Sequence, residues 1–148
     1  MRTILLIALA LLMLTTKAFA QEVRTFTIDG KTYYGTKAIP LEITGVYQYE
    51  KTKEPIADIR QDGSGFFQVH DVPEYPVEYW IETDARGVVQ KNKSETNSNY
   101  QVVLILLYGD NGEAGWKGAN KGKYDRIDVV MAFDRGYGIV MGERYRKL

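Results

Sequence analysis

The chain has 148 residues, 19 Lys+Arg against 19 Asp+Glu, one histidine and no cysteine. A net charge of zero excludes the electrostatic footprint that binds nucleic acid or anionic membrane. Without cysteine there is no thiol nucleophile, no zinc–thiolate site and no disulfide, so a small domain must rest on its hydrophobic core.

The first twenty residues read as an export signal. Met1-Arg2 is basic, Ile4 to Leu14 is an unbroken apolar run, and Ala18-Phe19-Ala20 is a small-x-small cleavage site before Gln21. The run is too short to span a bilayer, which takes about 20 apolar residues. The expectation is a signal peptide over 1–20, cleaved to leave one β-rich domain over 21–148, exported to the periplasm or secreted. Cleavage removes Arg2 and Lys17 and no acid, so the mature balance is −2. No later segment is apolar enough to span, so no membrane span is expected after cleavage.

From Val23 onward the dominant period is two. Val23 to Ile28 and Lys31 to Tyr34 flank Asp29-Gly30, a hairpin turn signal. Leu41 to Glu50 alternates, with Leu41, Ile43, Gly45, Tyr47 and Tyr49 on one face. Ile56 to Arg60 and Phe66 to His70 flank the turn Asp62-Gly63-Ser64-Gly65. Val77 to Thr83 and Val88 to Lys91 follow, then a polar loop to Asn99. Tyr100 to Tyr108 is the most apolar strand. Its Val102 to Leu107 stretch is apolar on both faces, so the N-terminal hairpin or a partner subunit is expected to cover the outer one. Gly109 to Lys123 is glycine-rich, Arg126 to Asp134 alternates, Arg135 to Gly138 turns, and Ile139 to Tyr145 reads as the closing strand. Ten short strands and no amphipathic helix predict an all-β fold, an antiparallel up-and-down barrel or, as the alternative, a β-sandwich.

Three short motifs carry a family resemblance. Gly45-Val46-Tyr47 lies on an early strand, Gly63-Ser64-Gly65-Phe66 a few strands later, and Gly142-Glu143-Arg144 near the end. This layout resembles the lipocalin-like (calycin) barrels. The resemblance implies that the aromatic of a Gly-x-Trp motif on the first barrel strand packs at the barrel base against an arginine from the final strand. Tyr47 stands where that family has Trp. Gly45, Tyr47 and Arg144 would then be structural, with the Arg144 guanidinium against the Tyr47 ring.

The groups that might carry chemistry read as structural. His70 precedes Asp71 on a strand, where neighbours point to opposite faces, so Asp71 is badly placed to orient it. A lone histidine makes no zinc site. Asp128 and Asp134 share the polar face of their strand with Val130 and Ala132 and point to solvent, and neighbouring Asp125 does not turn them into a hydrolytic pair. Asp110, Asn111 and Glu113 lack the ligand spacing of a calcium loop. Glycines 109, 112, 115 and 118 match neither collagen nor a phosphate loop. Asn92-Lys93-Ser94 fits a glycosylation sequon by chance, and Arg144 to Lys147 is a solvated basic tail.

Tyrosine is abundant, with 11 in the chain. Its apolar body and polar tip suit both strands and ligand walls. The expected function is therefore non-enzymatic binding of a small apolar ligand, with Tyr47, Tyr49, Tyr79 and Trp116 as the contacts and no metal or cofactor. Trp116, the one large side chain of the glycine loop, either covers the end of the core or swings over the barrel mouth to contact what binds there. The alternative is an interaction module that docks on a protein partner or associates with itself as an oligomer. An internal cavity of a few hundred cubic ångströms favours the binder; a solid core with an apolar outer patch favours the interaction module.

Overall fold

The protein is described by a computed structural model, and residues 22–93, 99–110, 121–132 and 135–148 are described. The chain begins with the hairpin β1 (Arg24–Ile28) and β2 (Lys31–Thr36). Asp29 and Gly30 between them have φ of 51° and 74°, the left-handed pair that a two-residue turn requires.

Eight further strands form a closed antiparallel barrel: β3 (Gly45–Tyr49), β4 (Ile56–Ile59), β5 (Ser64–Phe67), β6 (Tyr75–Thr83), β8 (Asn99–Tyr108), β9 (Tyr124–Ala132), β10 (Tyr137–Val140) and β11 (Glu143–Lys147). Each pairs with the next of these in chain order, and β11 returns to pair with β3 through Tyr145↔Tyr49 and Lys147↔Tyr47. The ring is thus an up-and-down barrel, not a sandwich. The two-residue β7 (Asn92–Lys93) pairs with the start of β8.

Strand β6 explains how the hairpin attaches. One of its edges carries β8. The other carries β5 as far as Glu78 and then β2 from Ile81 to Thr83. The hairpin therefore peels off the barrel and lies on its outer wall. It covers the outward-pointing Trp80 and Ile105 with Phe26, and Ile28, Tyr33 and Tyr124 surround this outer cluster. Phe26 meets Trp80 and Tyr124 edge-on, each at 5.3 Å between centroids. The Arg24 guanidinium stands 5.3 Å from the Trp80 ring and donates to the Tyr124 hydroxyl at 2.7 Å. Two-sided apolarity of Val102 to Leu107 is thereby accounted for: Leu104 and Leu106 face the lumen, and Ile105 faces the hairpin.

Several expected elements differ in extent. Leu41 is exposed and lies in a turn, not on a strand, because Ile43 N and Thr44 N both bond to the Pro40 carbonyl. Val89 makes only an isolated bridge to Thr83. The expected closing strand is itself a hairpin: Met141 and Gly142, with φ of 51° and 82°, turn the chain between β10 and β11. Ala132, placed on the polar side with Asp128, is buried. Residues 1–20, Asn111, Glu113, Trp116, Asp134 and glycines 112, 115 and 118 lie outside the described residues.

Candidate functional site: the barrel rim

The lumen holds side chains expected to be ligand contacts. Tyr79 is fully buried, and its hydroxyl donates to the Phe66 carbonyl at 2.6 Å. Tyr47 is buried equally well and donates to the Ile43 carbonyl at 2.6 Å. Burial pushes both phenols well above the ordinary tyrosine range, so both stay neutral donors. Ile43, Ile81, Leu104, Leu106 and Met131 pack with them in one core. These tyrosines have apolar bodies inside the core and polar tips already satisfied by backbone.

The cation near Tyr47 is not the expected one. Strand alternation points Tyr145 inward and Arg144 outward, where its guanidinium lies 4.1 Å from the Tyr137 ring and its Nε 3.2 Å from the Glu50 carboxylate. Lys147, the register partner of Tyr47, brings its ammonium to 5.7 Å from the Tyr47 ring and donates to the Glu42 carbonyl at 2.9 Å. Partial burial lowers the Lys147 pKa, against the pull of Glu42. Gly45 makes this approach possible: at φ 140° it has no Cβ, and one placed there would meet the Lys147 Cε at 2.7 Å.

Concave surface gathers at the other end of the barrel. There the β3–β4 turn and the β5–β6 connection enclose a cleft of about 880 Å³ lined by Thr52, Glu54, Pro55 and residues 68–74. A smaller cleft of about 340 Å³, lined by Tyr49, Glu50, Lys51, Gly142, Glu143 and Arg144, lies beside it. His70 lines the first and Glu143 the second, and their side chains meet at 2.7 Å across the rim. The His70 ring also stands edge-on to Tyr49 at 4.9 Å, and Tyr49 leans on Tyr145 at 5.8 Å. Burial, with help from Glu143 and Tyr49, pushes the Tyr145 phenol up to about 12.

Of the four expected contacts, then, Tyr49 sits at the rim, Tyr47 and Tyr79 sit in the core, and Trp116 is outside the described residues. His70 lies in a turn beyond the end of β5, not on a strand as expected, and lines the same cleft as Asp71. Sequence reasoning missed Glu143, its partner 73 positions away. Asp110 is ion-paired to Lys121 at 3.0 Å at the foot of the glycine loop. Asp128 accepts from the Gln101 amide at 3.0 Å on the outer wall. Among the described residues no three His, Asp or Glu side chains gather as a metal site. Compared with protein-family models, curated protein sequences and solved structures, the chain matches none.

Proposed function

We propose that this is an exported, non-enzymatic binding module that engages its partner at the rim cleft rather than inside the barrel. One observation carries the reading: the 880 Å³ cleft opens at the rim, while the tyrosines of the lumen are buried and hydrogen-bonded. A pocket of this size can hold a drug-sized ligand or a few residues of a peptide.

Membership of the lipocalin-like barrels is part of the proposal. Its support is the eight-stranded up-and-down ring and its closure of last strand on first. The ligand position that this resemblance implies, inside the barrel, fits less well, because Tyr47 and Tyr79 fill that space. Docking through an apolar outer wall also fits less well, since the hairpin already covers Trp80 and Ile105.

Selection of a phage-displayed peptide library on the immobilised protein tests the rim reading. Enriched peptides should lose at least tenfold in affinity on Asp71→Lys and keep it on Tyr33→Ala of the outer wall. The reverse pattern would move the binding surface to the hairpin. Export has its own check: material recovered outside the inner membrane should have the intact mass of a chain starting at Gln21, and a mass retaining residues 1–20 would remove the basis for that compartment.

A further inference from the structure

We propose that the rim cleft selects its ligand through a cationic group bearing N–H donors, an ammonium or a guanidinium. This rests on the reading of the cleft as the binding surface and names its chemistry.

The lining is acidic on balance. Glu54, Asp71 and Glu74 contribute carboxylates, and among the described residues no Lys or Arg lines the cleft. Lys51 and Lys53 of the same turn line the smaller clefts instead. His70, the one basic group in the lining among the described residues, is engaged by Glu143. Neither Glu54 nor Asp71 has an ion-pair partner among the described residues.

A buried amide on the same lining points the same way. Gln68 is 6% exposed, and its Nε2 donates to the Glu54 carboxylate and to the Val72 carbonyl, both at 3.1 Å. Those two acceptors fix which end of the amide carries the hydrogens. Its Oε1 is left as an acceptor with no hydrogen-bond partner among the described residues. Buried acceptors of this kind are normally satisfied. An ammonium or guanidinium offers three to five N–H groups, enough to serve Oε1 and the adjacent carboxylates together. An anion would be repelled, and an apolar group would leave these acceptors desolvated and unpaired. Pro55 and Pro73 fix their own φ angles and stiffen the walls around the site.

Two sources present this chemistry, a free polyamine and a basic side chain of a protein. The ¹⁵N-labelled protein is titrated with spermidine, with acetyl-Lys-Lys-Lys-amide, and with Ser₃ and Glu₃ peptides blocked in the same way. The expected result is saturable shifts at Glu54 and at residues 68–74 with the cationic probes alone. Affinity should fall at least tenfold in the Glu54→Gln/Asp71→Asn protein, both sites being exposed, and should weaken as salt rises. Tighter binding of spermidine than of the lysine peptide assigns a free amine; the opposite order assigns a protein side chain. Cleft shifts with the Ser₃ or Glu₃ peptide would overturn the cation proposal and leave the rim reading standing. Cationic probes that leave the cleft unshifted, or that bind the double variant equally well, would also overturn it, while the phage selection decides the rim reading separately.

Discussion

Gly65→Ala is expected to destabilise the barrel by about 3 kcal/mol, the upper end of what overpacking a well-filled core costs. Gly65 pairs with Ile59 on one side and Val77 on the other. A Cβ there would lie 1.9 Å from the Asp58 carbonyl oxygen and 2.9 Å from the Tyr79 ring. The oxygen belongs to a paired strand and cannot turn aside as a flexible side chain would, so β4 must move away from β5. Gly136→Ala is the control. It has φ of 65° but open space around it, so only backbone strain of about 1 kcal/mol is expected. Urea denaturation of both variants separates the two effects; equal losses would show that steric contact at Gly65 is not the cause.

Tyr79→Ala is expected to cost about 3–5 kcal/mol, as for other buried aromatics. The ring is fully buried against Ile81, Leu104 and their neighbours, and its removal opens the lumen. Tyr79→Phe should cost only about 1 kcal/mol, because it keeps the packing and loses the bond to the Phe66 carbonyl. Thermal or urea unfolding measures both. A small loss for Tyr79→Ala would mean that this ring lines a site instead of holding the core.

The fold was legible where the period-two signal is strong. Val77 to Thr83 and Tyr100 to Tyr108 lie on strands as expected, and Ile127, Val129 and Met131 face inward as their alternation implies. So is the need for a cover over Ile105. It failed where turn chemistry is unusual. Met141-Gly142 adopts the same left-handed pair as Asp29-Gly30, yet methionine is not a turn residue, so the last hairpin read as one strand. Leu41 failed for the opposite reason: its alternation was real, but Pro40 starts a local turn that overrides it. The lipocalin-like resemblance put Arg144 against Tyr47; strand parity turns Arg144 outward, and Lys147, the register partner of Tyr47, makes that contact instead.

The site was less legible than the fold. Cleft walls come from two turns separated by β4 and β5, and no local motif announces them. His70 meets Glu143 only because β11 is brought round to β3, a contact set by barrel closure. Tyrosine count alone could not divide core from rim: Tyr47 and Tyr49 share one strand face but differ in burial, because one lies deep in the barrel and the other at its mouth.

The central claim, a filled barrel that binds at its rim, is tested most directly by titrating the protein with the apolar probe N-phenyl-1-naphthylamine. Fluorescence should show no saturable site in the wild-type protein, because Tyr47, Tyr79 and Met131 occupy the interior. Saturable one-to-one binding in the wild type, with NMR shifts centred on Tyr47 and Tyr79, would contradict the account and place the ligand inside the barrel.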